Sequence, residues 1–355
     1  MLELIACLVI SIIGGYVARK LHIPAPFLVG GILAVGGYSI LLRLHCYFPA
    51  VKFWVQVISG TYIGSTIDRH YLAQSRKLLF PIVFLVSGML AVNLGMGSLI
   101  HFMSGFDLLT CLMGTIPGGV TETAVIAEQF GADVSVVALL QLCRSVFSIM
   151  LFPFVIKWLL RKQHHGLEGQ IQDVPAPTEK VESEGTFRTK MPRLLISLTI
   201  GTIGGIFGQY VQSIPASVLV CSLLCVGAYN LSVHKAYLPM QVKRAGQVLT
   251  GVFVGTKMTY ETILNLRSIL LPVIMLLAGF LVFHTLLALL ACRVFRMDLG
   301  TMLFSCIPAG ASDVALIAGD LGCDDPGITL FQLSRLISCI LLFPVVLLRF
   351  ASLFS

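Results

Sequence analysis

The chain has 355 residues, of which 57% are hydrophobic and only 12% charged, and its mean hydropathy is +0.93. Its net charge of +7 is modest and gathers in short basic clusters, which excludes a nucleic-acid-binding role and leaves a polytopic membrane protein. Ten cysteines lie scattered, mostly in apolar runs, without a CxxC pair, so neither a disulfide framework nor a cysteine metal site is expected.

One membrane span takes roughly 20 apolar residues. Runs of that length place spans near 3–20, 24–44, 50–67, 79–104, 107–129 and 134–160. A second set falls near 192–210, 214–233, 241–259, 268–292, 299–320 and 325–350. The first span is expected to be retained. Glu3 stands where a signal peptide carries basic residues, and Arg19 and Lys20 follow the apolar run without a small-x-small cleavage site. The one sustained polar stretch runs from Arg161 to Arg193 and is rich in Pro, Glu, Lys and Ser. Such a composition predicts a flexible linker, too short for a folded soluble domain. The expected organisation is a first membrane repeat over 1–160, a linker over 161–192 and a second membrane repeat over 193–355.

The two halves repeat. Residues Ile116–Arg144 read IPGGVTETAVIAEQFGADVSVVALLQLCR, and Ile307–Arg335 read IPAGASDVALIAGDLGCDDPGITLFQLSR, an offset of 191 with 12 of 29 positions identical. The same offset pairs Ile23-Pro24-Ala25 with Ile214-Pro215-Ala216 and Gln56 with Gln247. It also pairs the GxxxG of Gly60 and Gly64 with that of Gly251 and Gly255, a spacing that lets helix backbones approach closely. The fold expected is an all-α polytopic membrane protein with two homologous halves of five or six spans each, ten to twelve in total. Arg69, Arg76 and Lys77 precede the fourth span, whereas Arg293 and Arg296 follow its counterpart, which favours inverted repeats.

Pro117-Gly118-Gly119 and Pro308-Ala309-Gly310 each fall about ten residues into an apolar segment. Proline removes a donor and glycine loosens the backbone, so each triplet predicts a discontinuous helix. The second half-helix of each pair would start near Thr121 or Ser312, whose hydroxyls can cap its free amides. A helix N-terminus suits an anion or a carboxylate. Glu122 and Asp313 follow, either complementing the helix dipole or carrying a proton or cation. Arg144 and Arg335, ten residues into the next spans, pair with the acid of their own half or meet an anionic substrate. Gln141 and Gln332 share their helical faces and either bind a ligand or satisfy unwound backbone. Asp133 and Asp324, after Gly131 and Gly322, read as acidic helix starts. His284, where the first half has Asn93, reads as a polar contact between helices.

With these motifs the chain resembles the AbrB membrane-protein family, whose duplicated membrane domain carries IPGG-x-TE and IPAG-x-SD segments like Ile116–Glu122 and Ile307–Asp313. The resemblance covers both halves and implies a bacterial inner membrane. At the level of fold, the order of spans is similar to the bile-acid-sodium-symporter and cation-antiporter architectures, in which two broken helices cross and a core moves against a scaffold. The function expected is a secondary active transporter with elevator-like alternating access, moving a small anionic organic solute coupled to H⁺ or Na⁺. The expected partners are the bilayer, the solute and, as one option, a second copy in a homodimer. No metal or cofactor is expected. A second class is a membrane-bound regulator acting indirectly on gene expression. A third, the ammonia monooxygenase named in labels of the family, needs a nitrogen-rich copper site, and no two of the eight histidines stand in helical register within a span. The chain is therefore expected not to be an enzyme.

Overall fold

The structure, a computed structural model, describes residues 2–21, 23, 25–42, 48–67, 69–163, 187–211, 216–233, 236–258, 266–308, 314 and 326–353. Among them every extended regular element is a helix. The first half contributes α1 (Leu2–Lys20), α2 (Pro26–Leu42), α3 (Pro49–Thr66), α4 (Arg69–Ser104), α5 (Leu108–Gly114), α6 (Val120–Gln129) and α7 (Val134–Gln163). The second contributes α8 (Phe187–Tyr210), α9 (Ser217–Val233), α10 (Met240–Gly255), α11 (Leu266–Phe295), α12 (Leu299–Cys306), α13 (Pro326–Leu341) and α14 (Phe343–Ala351). The helices reach into the expected linker from both sides, since α7 runs to Gln163 and α8 begins at Phe187. Residues 164–186, the rest of that stretch, lie outside the described residues.

Three described helical stretches are long and apolar enough to cross a membrane: Leu78–Ser104, Met191–Tyr210 and Leu271–Phe295. A fourth joins them if Gly327–Leu341 and Phe343–Ala351, bent by 42° at their break, count as one. Large apolar side chains such as Ile13, Phe80, Phe102 and Phe207 stand exposed on the outer faces of these and neighbouring helices, as a lipid-facing surface requires.

The helices sort into two bundles that each mix the halves. In one, α1 packs on α2, α8 on α9, α3 on both α8 and α9, and α10 on both α1 and α2. In the other, the long α4 and α11 pack together and flank α5, α7, α12 and α13. Glycines set the crossings of the first bundle. A Cβ on Gly60 would collide with the Leu219 carbonyl oxygen of α9, and one on Gly251 would lie 2.8 Å from the Gly31 Cα of α2. Gly60→Val and Gly251→Val are each expected to lower the unfolding midpoint in detergent, at about 1–3 kcal/mol, because each meets backbone atoms of a neighbouring helix as well as a serine side chain. Gly37→Ala, with nothing within 4 Å of its added Cβ, leaves the midpoint unchanged or raises it. The bundles meet where α6 and α7 touch α3 and α10.

Candidate functional site

The site begins with a helix that stops early. Asp107 caps α5, its carboxylate accepting from the Thr110 amide at 3.2 Å, and the helix ends at Gly114. Residues Thr115–Gly119 are not helical, and α6 starts at Val120, so the break falls on the predicted Pro117-Gly118-Gly119. Breaking a helix frees the carbonyls of its last turn, which cannot stay bare in an apolar interior. Side chains of the same bundle take them up. The Gln141 amide of α7 donates to the Met113 and Ile116 carbonyls at 3.1 and 2.9 Å, and Asn93 of α4 donates to Leu112 at 3.1 Å. Arg144 donates through Nη2 to the Gly118 carbonyl at 2.6 Å and to Gln141 Oε1 at 2.7 Å.

The second half builds the same clamp. The helix α12, capped by Asp298, ends at Cys306 ahead of the buried Pro308. Gln332 of α13 donates to the Phe304, Ser305 and Ile307 carbonyls at 2.7, 3.4 and 3.3 Å, and Arg335 donates to Ile307. Ala309, Gly310, Ser312, Asp313 and Asp324 lie outside the described residues.

Two sequence expectations change here. Gln141 and Gln332 satisfy unwound backbone, the second of the roles open to them. Arg144 does not pair with Glu122: fully buried, it holds the break through Nη2 while Nε and Nη1 find no acceptor. Its guanidinium lies 5.9 Å from the Phe280 ring centre and within electrostatic reach of Arg335. His284 does not bridge helices. It stacks on Phe280 with ring centres 4.6 Å apart, and its Nδ1 meets the Phe280 carbonyl of its own helix at 3.1 Å.

The start of α6 is also arranged differently from the expectation. Gly119, not Thr121, is the N-cap. The half-buried Glu122 carboxylate turns back against Gly119 and accepts from its own backbone amide and from the Ser59 hydroxyl. Thr121 meets Thr250 instead, hydroxyl to hydroxyl at 3.3 Å. Ser59 belongs to α3 and Thr250 to α10, so the α6 N-terminus faces the other bundle. Lys243 of α10 lies within electrostatic reach of Glu122, and its ammonium donates to the Tyr62 hydroxyl of α3 at 3.0 Å. Ser59, Tyr62, Lys243 and Thr250 escaped the sequence reading. The offset of 191 pairs Ser59 with Thr250 and Lys52 with Lys243, a signal that was available in otherwise apolar segments.

At the far end of α6 the contact between the bundles is ionic. Glu128 is held by Lys52 of α3 at 2.5 Å and by Lys257, just beyond α10, at 2.7 Å. Gln129 accepts from the Ala216 amide at 2.6 Å, and Ser135 donates to the Lys257 carbonyl at 2.7 Å. Asp133, as expected from the sequence, starts α7 by accepting from the Ser135 and Val136 amides at 2.9 and 3.2 Å, after Gly131 at φ +74°. Among the described residues no three His, Cys, Asp or Glu side chains are grouped to hold a metal ion.

A helical membrane protein with a broken helix whose N-terminus opens onto the seam between two bundles is the class these features define. The chain belongs to the AbrB family: the family model described as "Transition state regulatory protein AbrB" matches residues 1–160 and 164–351. It is similar to "Uncharacterized protein YhjN" of Bacillus subtilis (strain 168), 24% identical over 298 residues, 81% of this chain and 76% of the relative. It is also similar to "Putative regulator AbrB" of Escherichia coli (strain K12), 29% identical over 156 residues, 42% of this chain and 43% of that protein.

Proposed function

We propose that this protein is a secondary active transporter, not an enzyme, moving a small anionic organic solute coupled to H⁺ or Na⁺ by elevator-like alternating access in a bacterial inner membrane. One observation carries the reading. The break at Thr115–Gly119 is tied to its own bundle by Gln141 and Arg144, while the helix start it creates faces Ser59 and Thr250 of the other bundle. A solute held at that N-terminus is therefore gripped at the sliding seam, and moving one bundle carries it from one side to the other. Unwound backbone at membrane depth is tolerated where it is protein-buried or lines an aqueous cavity, and helix N-termini attract anionic groups.

The halves act as inverted repeats of five or six spans, with α5–α6 and the segment from α12 onward as the two discontinuous spans. The reciprocal packing of α3 on α8 and α9, and of α10 on α1 and α2, supports this. Regulation, the word in the family description and in the name of the Escherichia coli relative, follows as a consequence of the solute moved. Deleting residues 165–185 then leaves regulation intact; its loss with transport preserved would favour a partner gripping that stretch.

The test is counterflow in proteoliposomes loaded with a pool of acetate, lactate, pyruvate, succinate and glutamate, each radiolabelled in turn outside. Uptake above that of empty vesicles for at least one of them is expected. Absence of counterflow across the pool would overturn the proposal.

A further inference from the structure

Resting on the transporter reading, we infer that the coupling ion is a proton carried by Glu122, and that Lys243 is the residue that recognises the anion, so that one proton travels with each monovalent anion. The arginines are engaged elsewhere. Arg144 is fully buried behind the break and bound to the Gly118 carbonyl, and Arg335 is bound to the Ile307 carbonyl. At the seam, Lys243 reaches Tyr62, three residues along α3 from Ser59, and Ser59 in turn holds the Glu122 carboxylate. Thr250, two turns along α10 from Lys243, meets Thr121 beside Glu122. An anion entering in front of α6 thus meets an ammonium, hydroxyls and a helix N-terminus, with one carboxylate opposing it.

That opposition is the coupling. With Glu122 ionised, an arriving anion faces a like charge a few ångströms away, in surroundings less polar than water. Protonating Glu122 removes that charge and raises anion affinity on the order of a hundredfold. The proton forms an O–H bond on Glu122 as the anion enters. The bond breaks on the far side as the anion leaves, and the carboxylate re-forms beside Lys243. Empty and loaded sites then carry the same net charge, so neither stroke moves an extra charge through the low-dielectric seam. A sodium ion fits poorly. The carboxylate already accepts from Ser59 and its own amide, an ammonium stands nearby, and hard cations take a full shell of oxygens.

The other charged groups on elements touching α6 are placed apart from this function. Lys52 and Lys257 hold Glu128 at the far end, Arg244 lies over the Phe27 ring at 5.9 Å, and Asp133 caps α7. Arg144 of α7 and Arg335 of α13 hold the two breaks.

Two measurements test the inference. In weakly buffered detergent solution above the Glu122 pKa, mixing the wild-type protein with the probe that supports counterflow is expected to take up close to one proton per site. In that range the probe's affinity falls about tenfold per pH unit. In proteoliposomes, an imposed pH gradient drives net uptake of that probe and a sodium gradient does not. Glu122→Gln loses the response to the pH gradient, and Lys243→Gln raises the half-saturating concentration at least tenfold, with partial rescue by Lys243→Arg. Binding without proton uptake, sodium-driven uptake, or a pH-driven response surviving in Glu122→Gln would overturn the inference. Those outcomes leave counterflow standing, whereas absent counterflow strikes the transporter reading itself. Should Glu122→Gln fail to fold, the wild-type proton count alone decides.

Discussion

Gln141→Leu is expected to cause the largest loss of stability among single substitutions at the break. Leucine fills nearly the same volume but donates nothing, so the Met113 and Ile116 carbonyls each lose a hydrogen bond and buried Arg144 loses the Gln141 Oε1 acceptor. Two neutral bonds and one charge-assisted bond sum to about 3–5 kcal/mol, against a whole-protein stability of about 5–15 kcal/mol. The unfolding midpoint in detergent should fall steeply. Gln141→Glu keeps an acceptor for Arg144 without the two amide donors and should melt between Gln141→Leu and the parent. Gln332→Leu, which removes the donor to three carbonyls of the second break, should behave like Gln141→Leu. A parent-like midpoint for Gln141→Leu would show that the break is held by other contacts.

Glu128→Gln should act on conformation more than on folding. It removes the ionic ties of α6 to α3 and to the residue just beyond α10 in one step, because a single carboxylate serves both Lys52 and Lys257. All three side chains are at least partly shielded from solvent, with 15%, 17% and 31% exposure for Glu128, Lys52 and Lys257. Their interaction is therefore screened less than a surface pair, and its loss is expected to shift the balance between bundle positions by about 1–3 kcal/mol, or 5- to 150-fold. Spin labels replacing exposed Trp54 on α3 and Phe154 on α7, in a cysteine-free background, would report the distance between bundles. A broadened or shifted distribution is expected in Glu128→Gln, and a smaller change in Lys52→Gln or Lys257→Gln. An unchanged distribution in all three would remove the ion pairs as a latch.

This latch belongs to one half only. At the offset of 191, Glu128 corresponds to Gly319, Lys257 to Thr66 and Ser135 to Pro326, while Lys52 keeps a lysine in Lys243, so the carboxylate and one of its two lysines are not repeated at the matching positions. The two halves therefore differ in sequence at this contact. The repeat alone would suggest symmetry; the side chains at the seam remove it.

Much of the local structure was legible beforehand. Apolar runs of spanning length placed α1, α2, α3 and α9 within a few residues, and Pro117-Gly118-Gly119 marked the break, because a missing amide and a flexible backbone act on the residues beside them. Asp133 announced the start of α7 for the same local reason. The partners of the polar residues were not legible. Arg144 seemed to ask for Glu122, yet its acceptor is the Gly118 carbonyl, a backbone atom freed by the break and invisible in a side-chain pattern. Glu122 in turn found Ser59, 63 positions earlier in the chain.

The sequence by itself therefore determined a membrane-embedded helical chain with one helix interrupted at Pro117 and another ending ahead of Pro308, because hydropathy, proline and glycine act locally. Only the tertiary structure decided that each bundle draws helices from both halves, and that α6 points its N-terminus at α3 and α10. Helices apolar on every side carry no face that names their neighbour. Their packing is chosen by where small residues such as Gly60 and Gly251 let backbones close, and by which buried polar groups find one another once they have.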